Sequence, residues 1–248
     1  MMDTARLNAQ PRFCWSPRTV TRCRLLVALV TTERIEAMYV VLVPVKPPAI
    51  GKSRLAGLPD EERRSLAAAF ALDTVTACQA ASSVAALLAV TDDASFSREL
   101  AAIGCESIPD GVAGDLNGTL RLTASEARRR WPHLTPVALC ADLPALQPQE
   151  LDAALDGVQT DEAAYVADAD GHGTTLYTAA YDAFEPQFGN GSAAAHRSGG
   201  ARAVGGELAG LRRDVDDLED LQAALALGVG PRTRQRATSL VGDGPSAS

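Results

Sequence analysis

The sequence predicts an α/β fold with a mostly parallel central sheet and helices on both faces. Apolar or β-branched segments of strand length alternate along the chain with segments of helical periodicity. The apolar run from Val137 to Ala141 is typical of a strand buried on both faces, and Pro144 follows it with no N–H to donate. Ligands of open α/β sheets bind beyond the carboxyl ends of the strands, so we expect a functional site around Asp142.

Length and composition restrict the classes of partner. The 248 residues suffice for one large domain, and 46% hydrophobic with 22% charged residues is an ordinary globular composition. A net charge of -8 and an aromatic content of 4% argue against a nucleic-acid partner. The apolar run at residues 25–30 is too short to span a bilayer, so we expect no membrane partner. The sequence carries no indication of oligomeric state.

The five cysteines are scattered and contain no C-x-x-C pair. This pattern supports neither a disulfide framework nor a zinc site, and it favours a reducing, cytoplasmic location.

The two ends of the chain differ from its middle. Residues 1–37 hold six arginines against three acidic residues, and we expect a disordered or loosely attached extension. Met38, directly before the first strand, is a candidate natural start. Residues 38–234 are expected to form a single domain, and residues 235–248 a flexible tail.

The predicted elements follow in chain order. The first strand covers Val40–Val45, a β-branched run, and Lys46–Pro59 is a loop rich in Pro and Gly. Asp60 opens a helix whose next two residues are acidic, which suits the helix dipole. Further strands are predicted at Val84–Val90, Glu106–Ile108, Ala163–Ala167, Thr174–Ala180 and Leu211–Val215, and further helices at Ser95–Ile103, Leu116–Arg130, Gln149–Leu155, Gly191–Ser198 and Leu218–Leu227.

A pair of aspartates near the carboxyl end of the chain is a candidate partner for Asp142. Alternation along a strand would place Asp214 and Asp216 on one face and Val215 on the other. We expect one of the two to meet Asp142 over a shared divalent ion, since Mg²⁺ takes oxygen ligands, often one or two carboxylates plus substrate phosphates. The alternative is that these acids cap the helix that begins near Leu218.

The loop after the first strand carries three cations, Lys46, Lys52 and Arg54. Its Gly51-Lys52-Ser53 segment is similar to the end of a P-loop, but the glycine that this motif requires is replaced by Lys46. The cations could hold a triphosphate at the edge of the sheet. A solvated basic loop is the alternative.

Three polar turns offer donors for an anionic or polar ligand. Gly114–Thr119 places Asn117 where its amide could read a base edge, with a helix cap as the alternative. Gly173–Thr175 and Phe188–Ser192 supply hydroxyl and backbone N–H groups, and the second opens a helix, which favours a phosphate or carboxylate. Plain turns remain the alternative for both. No histidine shows the spacing of a hydrolytic triad or a metal cluster.

Taken together, these motifs resemble the phosphoenolpyruvate/2-phospho-L-lactate guanylyltransferase family of deazaflavin coenzyme F-420 biosynthesis. The resemblance covers about Val40 to Arg234 and implies a nucleotidyltransferase fold of the nucleotide-diphospho-sugar transferase type. The motifs are Val43-Pro44-Val45-Lys46, Gly51-Lys52-Ser53-Arg54-Leu55-Ala56, Leu116-Asn117, Ala141-Asp142-Leu143-Pro144-Ala145-Leu146, Gly173-Thr174, Phe188-Gly189, Ser192, His196 and Asp214-Val215-Asp216.

The resemblance also implies roles for individual residues. Asp142 and Asp216 are similar to the magnesium-binding aspartates of the family. The groups that hold the phosphorylated three-carbon acid correspond to Thr174, Gly189 and Ser192. The positions expected near the nucleotide are Lys46, Lys52, Arg54 and, for guanine, Asn117.

The expected reaction transfers GMP from GTP to phosphoenolpyruvate or 2-phospho-L-lactate and releases pyrophosphate. The attacking phosphate oxygen is already an anion, so catalysis needs positioning and charge stabilisation, which Mg²⁺, Asp142, Asp216, Lys46 and Lys52 would provide. A related nucleotidyltransferase that uses another nucleotide or a sugar phosphate is one alternative. A non-catalytic nucleotide-binding module is another.

Overall fold

The computed structural model describes residues 38–45, 55, 57–112, 114–159 and 161–242. The expectations for residues 1–37 and for Lys46, Lys52 and Arg54 lie outside these residues.

Within the described residues, seven strands form one sheet in the order β3-β2-β1-β4-β6-β5-β7. The strands are β1 (Tyr39–Pro44), β2 (Val84–Val90), β3 (Glu106–Ile108), β4 (Thr135–Leu139), β5 (Ala164–Ala167), β6 (Thr174–Thr178) and β7 (Arg202–Ala203).

The sheet is mostly parallel, as predicted. Strand β1 pairs in parallel with β2 and with β4, whereas β6 runs antiparallel to both of its neighbours, β4 and β5. From β1 the chain builds β2 and β3 outward on one side and then crosses to β4 on the other. The crevice beyond the carboxyl ends of β1 and β4 is therefore the topological switch point, where ligands of open α/β sheets bind.

Helices cover both faces of the sheet. The helices are α1 (Asp60–Ala80), α2 (Ala94–Ala102), α3 (Leu116–Arg130), α4 (Pro148–Asp156), α5 (Ser192–Ser198), α6 (Ala209–Arg212), α7 (Leu218–Leu227) and α8 (Pro231–Gly242), with a 3-10 turn at Tyr181–Ala183. No helix in the described part of the chain has the length and apolar character needed to cross a membrane.

Alternate residues of β1 enter two different apolar clusters. Val41 and Val43 pack in the cluster that contains residues of α1, α2 and α4. Val40 and Leu42 pack in the cluster that contains residues of α3 and α5. This alternation confirms the predicted layers, because a strand with helices on both faces must be apolar on both.

A third apolar cluster joins α1 to the carboxyl-terminal helices. It includes Phe70, Val215 and Leu221, all buried. Asp73 of α1 accepts the backbone N–H of Thr233 at 2.8 Å and so holds the first turn of α8. Residues 235–242, where we expected the flexible tail to start, belong to α8.

The predicted strand Leu211–Val215 is wrong. The segment starts in α6 and continues without a strand to the cap of α7. Gly210 explains the difference, because its N–H donates to Glu150 at 2.9 Å and a Cβ there would overlap the carbonyl oxygen of Ala145. This close approach anchors a helical turn against the loop after β4.

Candidate active site

Asp142 lies in the bend that follows β4, three residues beyond the end of the strand. Two hydrogen bonds fix the backbone on either side of it. The Cys140 N–H donates to the carbonyl of Thr175 at 2.9 Å, and the Leu143 N–H donates to the buried hydroxyl of Thr74 at 3.1 Å. Asp142 itself is half-buried at the switch point of the sheet.

The segment that carries Asp214 and Asp216 lies against this bend. The Val215 N–H donates to the carbonyl oxygen of Asp142 at 3.1 Å, and the Val215 side chain is fully buried. Asp217, the next acid, accepts the N–H groups of Glu219 and Asp220 and caps α7. Helix capping is thus the role of Asp217, while Asp214 and Asp216 lie beside Asp142.

The carboxylates in this region repel one another. Burial, followed by the charges of Asp142, Asp216 and Asp168, raises the pKa of Asp214 to about 7. Each of these neighbours lies close enough to disfavour a negative charge on Asp214. We call Asp142, Asp214 and Asp216 the carboxylate cluster.

The carboxylate cluster fits a hard divalent cation. Carboxylate oxygens are the ligands that Mg²⁺ prefers, and a cation would offset the repulsion around Asp214. In the described part of the chain, no three His, Cys, Asp or Glu side chains are arranged to hold a metal by themselves. The cluster therefore suits an ion whose remaining ligands come from water and substrate phosphates, which is the usual way that Mg²⁺ is held.

The structure brings Thr174, Gly189 and Ser192 into one neighbourhood. The N–H of Ser192 donates to the carbonyl of Gly189 at 3.2 Å, and the next N–H, that of Ala193, donates to the carbonyl of His172 at 3.1 Å. Thr174 begins β6 two residues after His172. Gly189 has φ +138°, a conformation that L side chains rarely adopt. We call Thr174, Gly189 and Ser192 the acid pocket, after the role that the family resemblance predicts for them.

Asp168 links the acid pocket to the carboxylate cluster. Its side chain accepts the N–H groups of His172 at 2.9 Å and Gly173 at 2.6 Å, which shapes the turn before Thr174. The N–H of Ala169 donates to the carbonyl of Arg212, two residues before Asp214. The two sets of predicted residues thus adjoin at one end of the sheet.

Asn117 lies at the start of α3 and holds the loop before the acid pocket. Its amide donates to the carbonyl of Phe188 at 3.0 Å and accepts the N–H of the same residue at 2.8 Å. Each end of the amide already has a partner within the protein, so this geometry favours a role in positioning the loop. The contact of Asn117 with guanine stays a prediction.

A family model described as "Guanylyl transferase CofC like" matches residues 39–239. The match covers the whole sheet, the carboxylate cluster and the acid pocket. The chain belongs to this family.

Relatives from several organisms support the assignment. A phosphoenolpyruvate guanylyltransferase of Thermomonospora curvata is 43% identical over 222 residues, which are 89% of this chain and 97% of the relative. Proteins of the same name from Salinispora arenicola and Streptomyces scabiei are 44% and 45% identical, over 79% and 82% of this chain and 92% and 97% of theirs.

Solved structures of other proteins have a similar fold. A candidate nucleotide-diphospho-sugar transferase from Desulfovibrio desulfuricans G20 has a TM-score of 0.56 at 18% identity, over 75% of this chain and 85% of that one. A 4-diphosphocytidyl-2C-methyl-D-erythritol synthase has a TM-score of 0.53 at 11% identity, over 78% and 98%. These likenesses confirm the predicted fold class.

Sequence reasoning gave no role to two residues of this site. Asp168 lies between the predicted strands Ala163–Ala167 and Thr174–Ala180, and nothing in the linear sequence singles out its carboxylate. His196 lies four residues after Ser192, one helical turn further along α5, where its ring faces Thr174. Nothing in the linear sequence indicates that contact.

Proposed function

We propose that this family member transfers GMP from GTP to phosphoenolpyruvate and releases pyrophosphate, as a step of deazaflavin coenzyme F-420 biosynthesis. The observation that carries the proposal is the adjacency of the carboxylate cluster and the acid pocket at the switch point of the sheet. The names of the relatives, which match over nearly their whole length, support the same nucleotide and acid.

The reaction joins two anions. A phosphate oxygen of phosphoenolpyruvate attacks the α-phosphorus of GTP, the bond from that phosphorus to the bridging oxygen breaks, and pyrophosphate leaves with the electron pair. The attacking oxygen is already charged at neutral pH, so no side chain has to remove a proton from it. The protein must instead bring the two phosphates into line and stabilise the charge on the leaving group.

The carboxylate cluster would supply the metal ligands. Asp142 and Asp216 are proposed in this role, and Asp214 lies close enough to feel the charges of both. Bound Mg²⁺ supplies charge neutralisation on the triphosphate and on departing pyrophosphate. Lys46, Lys52 and Arg54 are proposed to contact the nucleotide phosphates from the loop after β1.

The acid pocket would hold phosphoenolpyruvate. Thr174 and Ser192 each bring a hydroxyl, and the backbone around Gly189 is left open because glycine has no side chain there. This pocket of neutral donors would orient the carboxylate and phosphate of the acid without adding further negative charge. We also propose a cytoplasmic location, on the pattern of the cysteines.

Pyrophosphate release by the purified full chain tests the proposal. GTP, ATP, CTP and UTP are each combined with Mg²⁺ and with phosphoenolpyruvate or 2-phospho-L-lactate. We expect turnover with GTP and phosphoenolpyruvate, and a kcat/KM at least tenfold lower for the other pairs. Turnover with CTP or UTP but not with GTP would overturn the assignment of GTP as the nucleotide. A preference for 2-phospho-L-lactate would overturn the assignment of phosphoenolpyruvate as the acid.

A further inference from the structure

His196 is a buried imidazole that the transfer chemistry above does not use. Only 1% of the residue is exposed. Its ring stacks on Tyr177, with centroids 4.5 Å apart and an interplanar angle of 18°, and on Tyr165 at 5.7 Å, while Phe188 meets it edge-on at 5.5 Å. Aromatic rings on these sides fix the plane of the imidazole.

The two ring nitrogens have different partners. The backbone N–H of Gln187 donates to Nε2 at 2.9 Å, and Nδ1 lies 3.0 Å from the hydroxyl oxygen of Thr174. Burial lowers the pKa of His196 to about 4, against the opposing effect of a hydrogen bond with the backbone of Ser192, so the ring is neutral at neutral pH.

These partners determine the tautomer. A backbone N–H can only donate, so Nε2 must be the acceptor. A neutral imidazole carries one N–H, and that proton must therefore lie on Nδ1. Nδ1–H then faces the Thr174 hydroxyl oxygen, with the backbone of Ser192 as a second acceptor, and Thr174 cannot donate its own hydrogen back to the ring.

The hydroxyl hydrogen of Thr174 is thereby left for another acceptor. Among the described residues, His196 is the one hydrogen-bond partner of this hydroxyl. The same ring also holds the backbone of Gln187, two residues before Gly189. His196 thus connects Thr174 on β6 to the loop that carries the rest of the acid pocket.

We propose that His196 is a positioning residue that orients the Thr174 hydroxyl as a donor to an anionic oxygen of the three-carbon acid. This inference rests on the proposed function, in which Thr174 contacts phosphoenolpyruvate. It assigns to the buried ring a chain of three hydrogen bonds, from the Gln187 N–H to Nε2, from Nδ1–H to Thr174, and from Thr174 to the substrate.

Two substitutions of His196 separate the hydrogen bond at Nδ1 from the hydrogen bond at Nε2. His196→Asn retains an amide N–H close to the position of Nδ1, whereas His196→Gln retains an oxygen close to Nε2 and loses the donor to Thr174. We expect His196→Gln to raise the KM for phosphoenolpyruvate about tenfold, with the KM for GTP within twofold of wild type. We expect the KM for phosphoenolpyruvate in His196→Asn to rise much less than in His196→Gln, because the donor to Thr174 is retained.

A double-substitution cycle with Thr174→Val tests the connection. Thr174→Val removes the hydroxyl at nearly constant volume and should raise the same KM about tenfold. The Thr174→Val/His196→Gln variant should lose no more than Thr174→Val alone, because the ring acts through the hydroxyl. Equal losses in His196→Asn and His196→Gln, or additive losses in the double variant, would overturn the positioning role.

The tautomer is measured without substrate. In ¹⁵N-histidine-labelled full chain, the signals of His196 are those that disappear in His196→Asn, and we expect a protonated Nδ1 and an unprotonated Nε2. A protonated Nε2 would overturn the inference. Absence of turnover with phosphoenolpyruvate in the wild type would instead reject the proposed function, so the two failures are distinguishable.

Discussion

Two buried or half-buried carboxylates, Asp73 and Asp214, have opposite surroundings. Asp73 is surrounded by donors, since it accepts the N–H groups of Thr233 at 2.8 Å and Arg232 at 3.3 Å and pairs with the Arg232 guanidinium at 3.4 Å. Asp214 is surrounded by acids, and burial together with their charges raises its pKa to about 7.

The difference separates stability from function. A buried carboxylate that is satisfied by N–H groups and a cation stabilises the fold, here by joining α1 to α8. A buried carboxylate beside other carboxylates destabilises the free protein, and a bound cation would remove that cost. Substitution of Asp73 should therefore reduce stability, and substitution of the carboxylate cluster should reduce activity.

The largest expected effect is on turnover. Asp142→Asn removes a charge from the carboxylate cluster at constant shape and should lower kcat for pyrophosphate release by about 10³-fold. Asp217→Asn is the matched control, because asparagine caps a helix as well as aspartate does. Comparable losses in both variants would remove the distinction between the cluster and the helix cap.

The next effect is on stability. Asp73→Ala leaves the N–H of Thr233 and the Arg232 guanidinium without their carboxylate and should lower the free energy of unfolding by about 3 kcal/mol, or about 10 °C in melting temperature. The folded fraction should keep its kcat.

Urea unfolding measures the free energy of unfolding of Asp73→Ala, and assays well below its melting temperature measure kcat. Asp60→Ala is the control. Asp60 pairs with Arg63 at an exposed position, so its loss should lower the free energy of unfolding by less than about 1 kcal/mol. A folded but inactive Asp73→Ala protein would contradict a purely structural role for Asp73.

A third prediction compares two glycines with positive φ. Gly189 (φ +138°) lies in the acid pocket and Gly228 (φ +98°) at the end of α7, and a Cβ at either would meet nothing within 4 Å. Alanine should strain both backbones by roughly 1–2 kcal/mol. Gly189→Ala should also raise the KM for phosphoenolpyruvate about tenfold, whereas Gly228→Ala should leave it unchanged. Equal KM values in the two variants would argue against the acid pocket.

The smallest effect has the opposite sign to that of Asp73→Ala. Asp214→Asn removes a buried charge that its neighbours disfavour, so the free protein should melt a few degrees higher than wild type while turnover falls. Differential scanning calorimetry without Mg²⁺ or nucleotide measures the shift. A lower melting temperature in Asp214→Asn would mean that this carboxylate stabilises the fold, as Asp73 does.

Much of the fold follows from local patterns. The predicted bounds of β2, β3, α3 and α7 agree with the structure, because alternation and helical periodicity are local properties. The predicted strand at Leu211–Val215 failed because the contact of Gly210 with the Ala145 carbonyl, between distant parts of the chain, decides the conformation there. The reversed direction of β6 was indicated only by the short connection between the predicted strands Ala163–Ala167 and Thr174–Ala180.

The site was less predictable from local patterns than the fold was, because it depends on contacts between distant parts of the chain. The proximity of Asp142 to Asp214 and Asp216 follows from the strand order and from the Val215–Asp142 hydrogen bond, neither of which has a local signature. The sequence analysis nevertheless predicted that Asp214 or Asp216 meets Asp142, from the preference of Mg²⁺ for carboxylate ligands. The family resemblance singled out Asp216 of the two. The contact of His196 with Thr174 depends on how α5 packs against β6, and it had no counterpart in the sequence reasoning.

Paramagnetic relaxation of the ³¹P signal of phosphoenolpyruvate by Mn²⁺, a substitute for Mg²⁺, tests the central claim most directly. In the presence of protein and a non-hydrolysable GTP analogue, wild type and Asp217→Asn should strongly enhance relaxation, because ion and acid are held side by side. Asp142→Asn should abolish the enhancement. An unchanged enhancement in Asp142→Asn, or none in the wild type, would contradict a cation held by the carboxylate cluster next to the acid pocket.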